Sequence, residues 1–514
     1  MNAQSTSPST IVKVPTGHPG LDQILRGGMP IGRTTLVSGT AGSGKTIFAL
    51  QFLIGGIRDH DEAAVFVTCE ETPDSIRENA ASLGFAIVGH EQERKWTFVD
   101  ATYDPGVEEE VVGAFDFAAL IARIEHAVRT TGATRVAIDS LGALMTRYED
   151  AYTVRREMLR VSNALRTLGV TSILTNERGV EHGEIGRFGV EEYVCDNVLI
   201  LRNTLDEESR RRTLEVLKMR GVDHLTGEFP VTILPNQGLV VITLEGSALN
   251  AESSTVRIHS GLEALDEMCN GGMFRDSVSL VSGATGTGKT LLVTEFIDGG
   301  ASQGERSLIF SFEESRFQLF RNAAGWGRDF ETLEASGALR VEAIYPEMRS
   351  LEDHLVAIMN AVDEYQPTRI AIDSLSALER ISTERSFREF LIGLTSFIKH
   401  RQIAALMTAT ARTLLGGESL TEAHISTLTD MIMLLRYVEM GGEIRRGFAV
   451  LKLRGSTHDK RIHEFTVDGT GMNLRGPFRG VTGILSGSPQ SVAEASPDLE
   501  IVAQMFDPDG GPTS

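Results

Sequence analysis

The sequence predicts an α/β protein made of two tandem copies of one domain, each a mostly parallel sheet flanked by helices. Three observations lead there. A long segment recurs, short runs apolar on both faces alternate with helical patterns, and each copy carries a glycine-rich loop between such a strand and such a helix. At 514 residues the chain exceeds the ~150-residue domain prior about threefold, so several domains are expected.

The repeat fixes the organisation. Thr16 to Thr46 (TGHPGLDQILRGGMPIGRTTLVSGTAGSGKT) recurs as His259 to Thr290 (HSGLEALDEMCNGGMFRDSVSLVSGATGTGKT), with Gly17, Asp22 and Lys45 opposite Gly261, Asp266 and Lys289 in one ungapped register. VFVTCEE then matches LIFSFEE, RVAIDSL matches RIAIDSL, and LEVLKMRG matches FAVLKLRG, in the same order. Units of this length are domains rather than solenoid repeats. The boundaries read as a flexible N-terminus (1–12), a first domain (13–246), a second (247–486) and an acidic tail (487–514). A Ser-rich seam, Leu244 to Arg257, separates the copies, and no Lys or Arg follows Arg479.

Within the first copy TTLVSG, AAVFVT, TRVAID, TSILTN and NVLILR read as strands buried on both faces; SVSLVSG, SLIFSF, RIAIDS, AALMTAT and MIMLLRY do so in the second. Composition narrows the function classes. With 49 Lys+Arg against 70 Asp+Glu the net charge is -21, which repels a phosphodiester backbone, so no nucleic-acid partner is expected. No apolar run approaches the ~20 residues of a membrane helix, and MNAQSTSPST lacks the pattern of a signal peptide. A cytoplasmic protein without a membrane partner is the expectation. Cys69, Cys195 and Cys269 have neither zinc-ligand nor disulfide spacing.

Gly39-Thr40-Ala41-Gly42-Ser43-Gly44-Lys45-Thr46 and Gly283-Ala284-Thr285-Gly286-Thr287-Gly288-Lys289-Thr290 both satisfy GxxxxGK[ST] between strand and helix, the context of a P-loop. Such a backbone cradles phosphates, its lysine reaches the β/γ oxygens, and its Thr hydroxyl can ligate Mg²⁺. Asp139 and Asp373 end the VAID and IAID strands, where a carboxylate can hold the water shell of Mg²⁺ in the Walker-B role. Glu70-Glu71 and Glu313-Glu314 follow the next strand and suit general-base work; a solvated helix start is the alternative. Lys218 and Arg220, with Lys452 and Arg454, stand two apart on LKxRG strands, facing one way, where cations can neutralise transition-state charge, often across a subunit boundary; a solvated strand face is the alternative.

These blocks, above all CEETP, FEESR, FGVEEYVCDNVLILRN, RRRTLEVLKMRG, DEMCNGGMF, SGATGTGKTLLV, LEDHL, RIAIDSLSALER and AHISTLTD, resemble the KaiC family of circadian-clock proteins over roughly residues 13 to 490. The resemblance implies tandem RecA-like P-loop NTPase domains in a two-tiered homohexamer, with ATP and Mg²⁺ between subunits. It implies a slow N-terminal ATPase ring that binds a KaiB-like protein, and a C-terminal ring that phosphorylates and dephosphorylates itself. By motif, Glu70 and Glu71 resemble the catalytic glutamates of the first ring, and Glu313 and Glu314 those of the kinase ring. Ser426 and Thr427 resemble the phosphorylated pair, assisted by Thr421. Ser82, Leu83, Lys218, Met219, Arg220, Gly221 and His224 would line the first nucleotide; Trp326, Arg446, Lys452, Leu453, Arg454, Gly455, Ser456 and His458 would line the second. Thr46, Thr290 and Glu313 would see the metal. Without the family, Trp326 reads equally well as a core aromatic.

The sequence departs from the family at Val222, Asp223 and Thr457, and in an acidic tail that argues against KaiA binding. Two other classes share the P-loops: a RecA-type DNA recombinase or motor, and a signalling ATPase without autophosphorylation. The charge and the lack of a basic loop run disfavour the first.

Overall fold

The computed structural model describes residues 11–102, 117–145, 148, 150–183, 191–206, 209–243, 253–411, 425–479, 481–484 and 490–491. Contacts divide the chain at Thr243/Leu244 into two units, each containing a nine-stranded sheet.

In the first unit β1 (Thr34–Gly39) is buried at every position, as a strand covered on both faces must be. It leads into helix α1 (Lys45–His60), which starts after Gly44 in the left-handed region. Then come β2 (Ala64–Thr68), β3 (Trp96–Asp100), β4 (Arg135–Asp139), β5 (Thr171–Glu177), β6 (Asn197–Asp206), β7 (Ser209–Met219), β8 (Glu228–Leu234) and β9 (Gly238–Val241). The sheet order is β9-β8-β7-β6-β1-β5-β4-β2-β3. From β6 to β3 the neighbours are parallel, while β6 to β9 form an antiparallel meander. Phe48, Phe52, Leu53 and Ile57 of α1 join Phe66, Ala137 and Ile173 in one core. A second core on the other face contains Leu36, Val67, Ile138, Val161 and Leu174.

The second unit repeats this plan with β10 (Val278–Gly283), helix α2 (Lys289–Ala301), β11 (Ser307–Ser311), β12 (Leu339–Ala343), β13 (Arg369–Asp373), β14 (Ala404–Thr410), β15 (Met431–Met440), β16 (Glu443–Leu453), β17 (His463–Asp468) and β18 (Gly471–Pro477). Its order, β12-β11-β13-β14-β10-β15-β16-β17-β18, is the same. Both P-loop strands are central, so each glycine-rich loop emerges at the carboxyl ends of the parallel strands, where open α/β sheets bind ligands.

A buried arginine braces each unit. Arg135 and Arg369 open the strands that end in Asp139 and Asp373, and each is 1 % exposed. Arg369 pairs through Nε with Glu305 and donates from Nη1 to the carbonyls of His259 (2.6 Å) and Phe296 (2.9 Å). Arg135 does the same with Glu62, Pro15 and Phe52. Each guanidinium also lies over a phenylalanine of the P-loop helix, 4.7 Å from the Phe52 centroid and 4.9 Å from that of Phe296.

Candidate functional site

Both glycine-rich loops have the backbone a phosphate cradle needs. Gly42 and Gly44 (φ 72° and 98°), like Gly286 and Gly288 (80° and 111°), occupy conformations that residues with a Cβ rarely adopt. A Cβ at Gly39 would come within 2.5 Å of the Leu201 carbonyl, and one at Gly283 within 2.7 Å of that of Leu435. The lysines turn back over the loops. Lys45 Nζ donates to the carbonyls of Gly39 (3.0 Å) and Thr40 (2.9 Å), and Lys289 Nζ to those of Gly283 (2.8 Å) and Ala284 (3.1 Å).

Each Walker-type aspartate is tied to its loop. Thr46 Oγ1 donates to Asp139 Oδ2 at 2.6 Å, and Thr290 Oγ1 to Asp373 Oδ2 at 2.7 Å. From the neighbouring parallel strand, Thr175 and Thr408 donate to the other oxygen of the same carboxylates. Burial pushes both carboxyls up and the ammonium groups of Lys45 and Lys289 down. A hydroxyl and a carboxylate converging beside a lysine suit Mg²⁺ with its water shell.

The paired glutamates sit at the same end of the sheet. Glu70 accepts from Ser140 Oγ, while Glu71 Oε2 accepts from Ser75 Oγ (2.8 Å) and Asn79 Nδ2 (2.9 Å). Glu313 pairs with Arg380 at 3.3 Å, and Glu314 accepts from Asn322 Nδ2 at 3.1 Å. Burial, reinforced by Asp373, pushes the Glu314 carboxyl up, a direction that favours holding a proton.

The LKxRG segments differ from the sequence expectation. Their strands end at Met219 and Leu453, so Arg220 and Arg454 lie just beyond them. In each β6–β7 or β15–β16 pairing the register shifts one residue before the lysine, leaving Leu217 or Leu451 bulged. Lys218 Nζ then donates to the carbonyls of Glu192 (2.8 Å) and Cys195 (2.7 Å), at the end of the turn Glu191–Val194. Lys452 Nζ donates to those of Ser426 and Thr429, both at 2.6 Å, and Arg454 Nη2 to that of Thr427 at 2.8 Å. Arg220 pairs instead with Asp196 at 3.5 Å.

The family model described as "ATPase: KaiC" matches residues 14–246 and again 258–476. Circadian clock protein KaiC3 of Synechocystis sp. is 56% identical over 497 residues, covering 97% of this chain and 98% of that protein. Circadian clock oscillator protein KaiC of Thermosynechococcus vestitus is 50% identical over 487 residues (95% and 93%), and that of Synechococcus elongatus 48% over 497 (96% and 95%).

The chain belongs to the KaiC ATPase family.

Its two RecA-like units are those of a KaiC protein, and the ATP-binding P-loop class read from the sequence stands. In this KaiC-family chain Ser426 is half-buried and Thr427 exposed, on a helical turn spanning 425–428; Thr421 lies outside the described residues. Ser82 and Leu83 close the helix Pro73–Ser82, and Trp326 stands at the C-terminal end of the helix Arg316–Gly325, partly buried against the core. Gly221 and Gly455 turn the chain after the cations with φ 68° and 72°, and His224 is half-buried nearby in sequence. Arg446 stands on β16 with its guanidinium 5.9 Å from the Tyr437 ring centroid, while Met219 and Leu453 are buried. Ser456 Oγ accepts from Arg257 Nη2 at 2.8 Å, and His458 lines a cavity of about 500 Å³ with Asp459, Arg461 and His463.

Sequence reasoning missed Thr175 and Thr408 on neighbouring strands, and Ser140, Asp196 and Asp430 at positions flanking strands, the two aspartates holding the arginines. Asp430 accepts from the Val278 amide (3.0 Å) and Lys399 (2.9 Å), and lies 3.6 Å from Arg454. The aspartates are at matching positions of the repeat, Asp196 in VCDN and Asp430 in LTDM, and repetition was a signal that could have found them. Among the described residues no helix is long and apolar enough to cross a membrane.

Proposed function

We propose that this chain is a serine/threonine autokinase and autophosphatase as well as a slow ATPase, acting as a timing component of a circadian system. The functional halves are residues 13–246 and 247–486. Each binds ATP with Mg²⁺ on its P-loop, Thr46 and Asp139 holding the metal in the first, and Thr290, Glu313 and Asp373 in the second. Bound Mg²⁺ would neutralise charge on the phosphates. Glu70 and Glu71 activate water in the first site; Glu313 and Glu314 take the proton of an attacking hydroxyl in the second. The acceptors are Ser426 and Thr427, whose new phosphate adds about two negative charges each.

One observation supports this most directly: Lys452 and Arg454, the cations of the LKLRG strand end, hold the backbone of the turn that carries Ser426 and Thr427. The working form is taken from the family resemblance: a homohexamer with nucleotide at subunit boundaries, in which a hydroxyl of this turn would meet the γ-phosphate of ATP bound by an adjoining subunit. A KaiB-like protein is the expected partner. The test is incubation of the full chain with ATP, followed by phosphopeptide mass spectrometry of wild type and of Ser426→Ala/Thr427→Ala. Phosphate in the HISTLT peptide of wild type alone is expected; its absence there refutes the autokinase reading.

A further inference from the structure

The two P-loops differ in what stands against them. In the first unit Glu181, half-buried on the stretch after β5, reaches the loop: its Oε1 accepts from Thr40 Oγ1 at 2.5 Å and its Oε2 from the Asn203 amide at 3.2 Å. The rim is held further by Asn203 Nδ2 on the Ala41 carbonyl (3.5 Å) and Arg212 Nε on that of Gly42 (3.2 Å). Glu181 also belongs, with Glu177, Asp139 and Glu70, to the carboxylates whose charge acts on Lys45, and Arg178 is the cation beside it.

Among the described residues of the second unit no carboxylate accepts from the loop in this way, and the stretch after β14 that matches Glu181 lies outside the described residues. The residue opposite Thr40 is Ala284, which has no hydroxyl to donate. Glu177 pairs with Gly39 at the end of β1, and the residue that pairs with Gly283 in the same way is the neutral Thr410. Among the described residues, Asp373 and Glu313 are the carboxylates whose charge acts on Lys289.

We propose that Glu181 is a self-inhibitory ligand of the N-terminal P-loop, an anion that incoming nucleotide phosphates must displace. A carboxylate docked on the loop and acting on its lysine repels a polyphosphate, and it releases Thr40 only when a stronger anion takes its place. The first site therefore binds phosphates more weakly than its loop alone would allow, and the described residues of the second unit supply no such restraint. Glu181 is thus a residue that sets nucleotide affinity in one half of the molecule.

This rests on the P-loop of the first unit being an ATP site, and the experiment separates the two claims. ATP and AMP binding are measured by equilibrium dialysis in Mg²⁺ on the full chain carrying Lys289→Ala, so that the first site reports. Glu181→Ala and Glu181→Gln, which remove the charge, should tighten ATP roughly tenfold, the scale of one like charge near a protein surface. Thr40→Ala, which removes only the hydroxyl, should give a smaller gain, and AMP should change little because it presents one phosphate. Unchanged or weakened ATP binding in Glu181→Ala, or an equal gain for AMP, overturns the proposal. Lys45→Ala is the control: if it abolishes binding while Glu181→Ala brings no gain, the inhibitory role alone fails. If binding survives Lys45→Ala untouched, the P-loop reading fails and the inhibitory role with it.

Discussion

Removing the guanidinium of Arg369 tests how the second unit is held together. The side chain is essentially fully buried and satisfies three acceptors: the Glu305 carboxylate and the carbonyls of His259 and Phe296. Arg369→Met keeps much of the stem but orphans all three. Breaking a buried ion pair from one side costs about 3–5 kcal/mol, mainly because the surviving charge is left unpaired. The orphaned carbonyls add roughly 1 kcal/mol or more. A loss of about 4–6 kcal/mol is therefore expected for the second unit, and at about 2–4 °C per kcal/mol for domains of this size its transition should fall by roughly 8–24 °C. Differential scanning calorimetry at fixed protein and nucleotide concentration reads this, with the first unit's transition as internal reference. The decisive comparison is Arg369→Met/Glu305→Met. Because most of the cost comes from the stranded Glu305 carboxylate, the double variant should recover a substantial part of the loss. A single variant that shifts the transition by less than about 2 °C, or a double variant worse than the single, would refute this account.

His18, fully buried and stacked on Phe48 with centroids 4.3 Å apart, has its pKa pushed down to about 4 by burial. The folded first unit thus binds fewer protons than the unfolded chain between about pH 4 and 6.5, so stability is fully present above pH 6.5. Roughly 3 kcal/mol is lost as pH falls to 4, and pH-dependent denaturant titrations should show His18→Phe flattening that limb. Lys45→Ala should lower hydrolysis at the first site on the order of 100-fold or more, read as phosphate release in a Lys289→Ala background. Lys452→Ala frees the carbonyls of Ser426 and Thr429, so amide exchange across 425–429 should accelerate while that across Glu191–Val194 does not change; equal acceleration in both would contradict the separate anchoring. The full chain, at net charge -21, should pass through a DNA column at low salt, and retention would revive the recombinase reading.

What could be read in the sequence was what local chain geometry dictates. A P-loop needs its glycines, lysine and threonine in consecutive positions, and the aspartate ends its own apolar strand, so Lys45, Thr46 and Asp139 were visible together with their repeats. The central parallel strands were visible too, because burial on both faces leaves continuous apolar runs. The strands Trp96–Asp100 and Leu339–Ala343 were missed: they lie at a sheet edge, and their polar residues break the pattern. The meander from β7 to β9 was reduced to one strand for the same reason. Partners such as Thr175 to Asp139, or Glu181 to Thr40, escape a linear reading because parallel pairing brings together residues many positions apart. The acceptors of Lys218 and Lys452 were missed because they are backbone carbonyls of a turn far away in the sequence.

The lysine contacts with the turn below β6 and β15 go to carbonyl oxygens, not to side chains. Such an anchor is indifferent to sequence, since every residue type offers the same acceptor. After the duplication, EEYV in one copy and ISTL in the other could drift apart while the turn stayed fastened in the same place. An ancestral scaffold of this kind lets one descendant copy carry Ser426 and Thr427 on its turn, and its sibling Glu192 and Tyr193, without either having to reinvent the fold around them.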